Sequence, residues 1–353
     1  MALVDRLIKA STIDISNTMG KVKLVRRDVA TTPAPSLNIV LQGDLLGGVS
    51  PGVLMFAGPS RHFKSNIGLF AAAAYMDKYP DAIMIFYDSE FGAKEAYFET
   101  AGIDMSRVVH TPILDIEELK FDMNKQLKSL EDGDNIIIFI DSVGNLASKR
   151  EVDNADKQNS SADMVRAKEL KSFWRIVTPY FERYGIPVIV VNHTYQTMEM
   201  FSKTVVSGGQ GNVLAANDII TIGRQQNKDK NTKVLHGYDF MLKVEKSRTV
   251  REQTIIPLTV RFDGGIQTHA GLLDIALAVG YAAKDGATKY VFIDPKTGEI
   301  DGLSFTRKAA LEPKFWEKRQ NDPLFNEAIR SHYRLDVKSL IAKAQEEIAD
   351  DTP

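Results

Sequence analysis

The sequence contains no cysteine among its 353 residues, which excludes a disulfide framework, thiolate chemistry and any zinc site built on cysteine, and fits a reducing compartment. It also lacks any stretch approaching the roughly 18 consecutive apolar residues of a membrane span. The opening MALVDRLIKASTIDIS is broken by Asp5, Arg6 and Lys9, so it has no uninterrupted run of the kind a secretory signal needs. A cytoplasmic protein without a membrane partner is expected. Neither sign of charge is in excess, since 44 Lys and Arg face 46 Asp and Glu. Global charge therefore does not draw the chain to nucleic acid, and an anionic partner must be met by a local patch. What is present in quantity is apolar residue, 44% of the chain, enough for one large core with one or two small appended units.

The first unit spans 1–33. It places Leu3, Leu7 and Ile8 at helical spacing, passes through basic KVKLVRRD, and reaches TTPAPS, a Pro/Thr stretch expected to be a linker. A short helix and strand cannot bury their apolar faces alone and are expected to dock elsewhere, a neighbouring copy being one candidate. Residues 34–267 alternate short apolar runs (GVLMFAG, AIMIFYDSE, NIIIFIDS, IPVIVVNHT) with helical patterns. That alternation predicts an α/β core, a mainly parallel sheet covered by helices on both faces. DIITIGRQQ, YDFMLKVEKSRTV and TIIPLTVRFDGGI are expected to extend the sheet as antiparallel strands. Residues 268–353 read as a small α+β domain with an acidic, frayed tail, EEIADD.

The stretch GPSRHFKS, residues 58–65, follows a strand and opens a helix. It has the spacing of a phosphate-binding loop, G-x-x-x-x-G-K-[ST], except that Phe63 stands at the second glycine. Gly58, Pro59, Ser60, Arg61, His62, Phe63, Lys64, Ser65 and Asn66 form the expected nucleotide cradle, with Lys64 on the β and γ phosphates and Ser65 on Mg²⁺. A chance strand-turn-helix is the competing reading. Asp141, at the carboxyl end of the apolar run NIIIFID, is expected to hold a water of the magnesium; the alternative is an N-cap. In IFYDSEFG, Glu90 is expected to orient or deprotonate a water aimed at the γ phosphate, and Asp88 to cap the next helix. His193 ends a strand, and a long polar loop follows. It is either a sensor of phosphate state or a satisfied strand-end histidine. SGGQ at 207–210 imitates the signature of ABC transporter ATPases, but it follows Asp141 instead of preceding it, and that family is rejected.

Taken in order, GPSRHFKSN, FYDSEFG, IDSVGNLASK, NHTY…EMFSKTV.SGG, EKSRTV and KFWEKRQNDPLF give a chain that resembles the RecA-type recombinases, and more narrowly the UvsX recombinases of T4-like bacteriophages, over nearly its whole length. The resemblance implies ATP and Mg²⁺ as cofactors, with Glu90 catalytic and Lys64, Ser65 and Asp141 on triphosphate and metal. It implies that Tyr97 stacks on adenine, and that Lys246 and Arg248 of EKSR reach the ATP of the adjacent subunit, where cations supplied in trans make hydrolysis depend on assembly. Otherwise Tyr97 is a core tyrosine and the EKSR cations a solvated pair on an edge strand.

Two segments, about 148–163 and 195–212, are implied to bind DNA without reading base edges. In and beside them Lys149, Arg150, Arg166, Lys168 and Lys203 are implied to meet phosphates, amides near Gly208 and Gly209 to add donors, and Met200 or Phe201 to wedge between bases. The nearly balanced charge of the first segment leaves a solvated insert as its alternative.

The implied activity is DNA-stimulated ATP hydrolysis coupled to strand exchange between single-stranded and double-stranded DNA. It would run in a helical filament of the chain itself, with a single-strand-binding protein and a recombination mediator as further partners, in the host cytoplasm if the protein is a phage's. The rivals are a RecA-fold hexameric helicase or other translocating motor, and a mediator that binds nucleotide without hydrolysing it. Phe63 departs from the glycine of RecA, though the phage branch carries a bulky residue there. Because a side chain with a Cβ resists a left-handed backbone, position 63 is expected already within the right-handed first turn of its helix, its ring turned from the phosphates.

Overall fold

The computed structural model describes residues 3–13, 15–18, 21, 28–92, 94–154, 162–197, 204–229 and 232–335. Helix α1 (Leu3–Ala10) buries none of its residues, and Leu3, Val4 and Leu7 are exposed. The strand expected from KVKLVRRD falls almost wholly outside the described residues. TTPAPS is not a free linker, because Thr32, Ala34, Pro35 and Ser36 are buried. Thr32 Oγ1 donates to Asn38 Oδ1 at 2.7 Å, and proline in the first turn starts helix α2 (Pro35–Gln42), whose missing N–H costs nothing there.

The chain then runs through β1 (Gly52–Gly58), α3 (Lys64–Lys78), β2 (Ile83–Asp88), α4 (Glu95–Ala101), β3 (Val108–Pro112), α5 (Ile116–Lys128), β4 (Ile136–Asp141), α6 (Lys149–Asn154), α7 (Ala162–Tyr184) and β5 (Pro187–Gln196). It continues with β6 (Thr204–Val206), α8 (Gly209–Ala215), β7 (Asp218–Lys228), β8 (Leu235–Lys246), β9 (Ile255–Arg261), β10 (Gly265–Ile266) and α9 (Leu272–Ala278). It closes with β11 (Ala282–Asp285), β12 (Lys289–Ile293), β13 (Ile300–Thr306), α10 (Pro313–Trp316) and α11 (Pro323–Tyr333).

One sheet orders its strands β10-β9-β8-β7-β1-β5-β4-β2-β3, with β6 hairpinned onto β5. From β7 to β3 every neighbour is parallel. The expected antiparallel extension thus needs one correction: β7 lies parallel to β1, since a helix brings it back to the same edge, and only β8, β9 and β10 reverse. Side chains alternate between two apolar layers. Leu54 and Phe56 of β1 join α3 on one face, while Val53 and Met55 join α5 and α7 on the other. Trp316, Phe325 and Ile329 belong to the first of these layers. Asp44 ties that end to the core, accepting from Arg330 Nε at 2.6 Å and Arg334 at 2.9 Å. The three-stranded sheet β11-β12-β13 stands apart from the large one. No described helix is long and apolar enough to cross a membrane.

Candidate functional site

Register brings the site together. Gly58 pairs with His193, Asp141 with Val191, and Asp88 with Asp141. The carboxyl ends of β1, β5, β4 and β2 therefore lie level at one rim of the sheet, where open parallel sheets present their loops. A cleft opens there, lined by Ser60 to Asn66 together with Asp88, Glu90, Tyr97, Phe98, Asp141 and His193.

The loop leaving β1 is shaped by close approach and by two left-handed residues. A Cβ at Gly58 would stand 2.9 Å from the Ile222 carbonyl oxygen, so only glycine fits beside β7. Arg61 has φ 62 and Phe63 has φ 60. The expectation for Phe63 is thus overturned: it is left-handed and caps α3, which begins at Lys64. The chain turns sharply at Phe63 before the helix starts, and the Phe63 ring stacks on Phe240, centroids 5.2 Å apart. Phe63 makes no side-chain cap bond at the start of α3, and among the described residues its first amides and the helix dipole suit an anion. Arg224 braces the loop by donating to the Arg61 carbonyl at 3.2 Å.

Lys64 is buried, and its ammonium donates to the Pro59 carbonyl at 2.9 Å. Burial pushes its pKa down, and the charges of Asp141 and Glu90 push it back up. Ser65 Oγ donates to Asp141 Oδ2 at 2.6 Å. Burial pushes the Asp141 carboxyl up to about 6; the Ser65 bond opposes this, and Glu90 and Asp88 reinforce it. The charge of Lys64 also opposes the rise, and a buried carboxylate beside a hydroxyl suits a divalent cation. Among the described residues no three His, Asp or Glu side chains cluster as metal ligands.

Asp88 shapes a turn instead of capping a helix. Its Oδ1 accepts the N–H groups of Glu90 and Phe91 at 3.1 and 2.7 Å, which projects Glu90 over the rim. Glu90 Oε1 accepts from His193 Nε2 at 2.8 Å, Ser142 Oγ at 2.9 Å and Asn145 Nδ2 at 3.0 Å. The His193 bond holds the Glu90 pKa below the usual carboxylate range; burial opposes it, and Ser142 and Lys64 help. Ser142 and Asn145 escaped the sequence reading, which stopped at Asp141. The polar residues of DSVGN directly after the strand were the available signal.

Other expected residues lie elsewhere. Tyr97 lines the cleft, part-exposed. Lys246 and Arg248 are outside it: the Lys246 ammonium donates to the carbonyls of Val213 and Ala216 at 2.8 and 2.6 Å, and Arg248 lies 3.8 Å from Glu182. Burial and then Arg248 push the Lys246 pKa down. Lys149, Arg150 and Lys168 are exposed on α6 and α7, so the ends of the first segment are helical, not loop. Arg166 is turned inward, donating to the carbonyls of Leu146 and Gly144. In the second segment β5 runs on to Gln196, β6 pairs back on it, and Gly208 and Gly209 open α8. Met200, Phe201 and Lys203 lie outside the described residues.

No family model matches the chain. It is 45% identical over 338 residues, covering 94% of this chain and 86% of the relative, to the recombination and repair protein of Enterobacteria phage T4. It is also 25% identical to protein RecA of Synechococcus elongatus over 76% of this chain and 73% of that protein. Against protein RecA of Trichormus variabilis it is 26% identical over 94% of this chain and 89% of that protein.

Proposed function

The chain belongs to the RecA-type recombinases, and from that premise we propose that it is a strand-exchange protein that assembles as a helical filament on single-stranded DNA with ATP and Mg²⁺. It pairs that strand with a homologous duplex and hydrolyses ATP when DNA is bound. The observation that carries the reading is the convergence of Lys64, Ser65, Asp141 and Glu90 at one rim of the parallel sheet. The open amides of α3 and the Lys64 ammonium hold the phosphates. Ser65 and Asp141 hold the magnesium, whose charge, when bound, offsets the negative charge of the β and γ phosphates. Glu90 stays a carboxylate near neutral pH because its donors lower its pKa, which suits orienting a water better than abstracting its proton. Tyr97 receives the adenine.

The outward placement of Lys246 and Arg248 supports action on the nucleotide of the next subunit, so that turnover follows assembly. The unpartnered face of α1 supports docking on another copy. Lys149 and Arg150 on the first segment, Lys168 beyond it, and Gly208 and Gly209 on the second supply the DNA contacts, together with Met200, Phe201 and Lys203. A single-strand-binding protein and a loader are the accessory partners, in the host cytoplasm. Electron microscopy of the protein with single-stranded DNA and a slowly hydrolysed ATP analogue tests this: continuous helical filaments are expected, and closed rings alone would favour a hexameric motor.

A further inference from the structure

The stretch Ser142 to Leu146 is gripped from two sides. Towards the cleft, Ser142 Oγ and Asn145 Nδ2 donate to Glu90 Oε1 at 2.9 and 3.0 Å. From behind, the Arg166 guanidinium of α7 donates through Nε to the Leu146 carbonyl at 2.7 Å and through a terminal nitrogen to the carbonyl of Gly144. Those two carbonyls flank Asn145. Gly144 is also pressed onto β5, where a Cβ would stand 2.5 Å from Asn192 Oδ1. Asn145 is therefore presented by backbone pinned on both sides of it, and the pin is a two-pronged bond that a lysine cannot copy.

We infer that Asn145 is a positioning residue for Glu90, and that Arg166, which makes no contact with Glu90, positions Asn145 through the carbonyls of Gly144 and Leu146. The inference rests on the proposed role of Glu90 in aiming water. Donors from Ser142, Asn145 and His193 converge on Oε1 and fix the plane of the carboxylate. Among the described residues no hydrogen bond reaches Oε2, which is left to accept from water. Loss of one donor lets the carboxylate swing, and a misplacement of about 1 Å costs on the order of a hundredfold in rate. A cation expected on DNA thereby gains a second task inside the ATPase.

The test is steady-state ATP hydrolysis at saturating single-stranded DNA, followed across pH, for Asn145→Ala, Arg166→Ala, Arg166→Lys and the double alanine variant. Each single variant is expected to lower kcat roughly ten- to a hundredfold with KM for ATP within about twofold. The double variant is expected to lose no more than the worse single, because both act through one contact. Glu90 faces His193 of β5, Lys64 of α3 and Asp141 of β4. With those unchanged, loss of a hydrogen-bond donor to the carboxylate is expected to raise the Glu90 pKa, so the acid limb of the kcat profile is expected to move upward in every variant. Retained ATP affinity shows that the cleft is folded.

Arg166→Lys with the parent's kcat at saturating DNA, or losses that multiply in the double variant, overturns the relay and leaves Arg166 a DNA cation. Glu90→Gln, measured alongside, separates the two levels: loss of hydrolysis there with an unaffected Arg166→Ala defeats the relay alone. Retained hydrolysis in Glu90→Gln defeats the role of Glu90 and the relay with it.

Discussion

Phe63 and Phe240 stack with ring centroids 5.2 Å apart and planes 13° apart, and Phe63 holds φ 60 within that stack. The left-handed backbone costs a residue with a Cβ on the order of 1 kcal/mol. Burying and stacking the ring contributes about 1.5–3 kcal/mol in the other direction. Phe63→Gly removes both and is expected to cost about 1 kcal/mol net, whereas Phe63→Ala keeps the strain without the ring and is expected to be less stable than Phe63→Gly by about 1 kcal/mol. Urea unfolding of the pair measures this, and equal stabilities would refute the strained loop. ATP affinity is expected to survive in Phe63→Gly, because the cradle is built from backbone amides.

Asp141 gives the site a pH dependence near neutrality. Its folded-state pKa, about 6, lies above the free value of 3.8, so the folded ligand-free chain binds this proton more tightly than the unfolded chain. The resulting stability is full below pH 3.8 and is lost as pH rises through about 6. In the proposed role Asp141 holds Mg²⁺ as a carboxylate, so binding of magnesium nucleotide is expected to release about half a proton at pH 6 and less at higher pH. Affinity should weaken progressively below that pH. Calorimetry in buffers of different ionisation heat reads the proton directly. Asp141→Asn should bind magnesium nucleotide weakly with a flat pH response, and a response as steep as the parent's would locate the proton elsewhere.

Lys246 is expected to separate binding from turnover. Its ammonium caps the carbonyls that end α8 and lies outside the cleft of its own chain. Lys246→Ala is expected to leave ATP affinity of the free protein unchanged and to cost about 1 kcal/mol in stability through the lost cap. Hydrolysis on DNA is expected to fall about a hundredfold or more. Unchanged DNA-stimulated turnover would remove Lys246 from the reaction.

Helix α1 contributes nothing to the interior of its own chain, with Leu3 and Leu7 61% and 63% exposed. Deletion of residues 1–10 should change unfolding free energy by no more than about 0.5 kcal/mol. Binding of ATP should persist while assembly on single-stranded DNA disappears in sedimentation. Filaments of normal length from the deleted protein would place the docking surface elsewhere.

The parallel sheet was legible in the sequence because runs such as IIIFID and PVIVV are apolar without alternation, and such runs suit only a sheet buried on both faces. The strand-loop-helix at 58–65 was legible too, since Gly58, Lys64 and Ser65 stand at a fixed local spacing. Where the reading failed, a distant residue decided the local shape. Phe63 takes the conformation that its own Cβ disfavours because Phe240, far along the chain, offers a ring to stack on. TTPAPS looks like a linker by composition, but Thr32 and the residues from Ala34 on are buried, because Thr32 and Asn38 satisfy each other's polar groups.

The sequence by itself determined which residue types could serve chemistry here, and it did so through local rules: strand length, loop spacing, an acid at a strand end. Only the tertiary structure decided which of them meet. Ser142 and Asn145 after β4 and His193 within β5 converge on one carboxylate oxygen of Glu90, which follows β2, because the register of the parallel strands sets these positions level. Arg166, a surface cation by its neighbours in sequence, points inward because two backbone carbonyls beside Asn145 need donors. Pairing at that distance depends on packing between elements, which one-dimensional spacing does not encode.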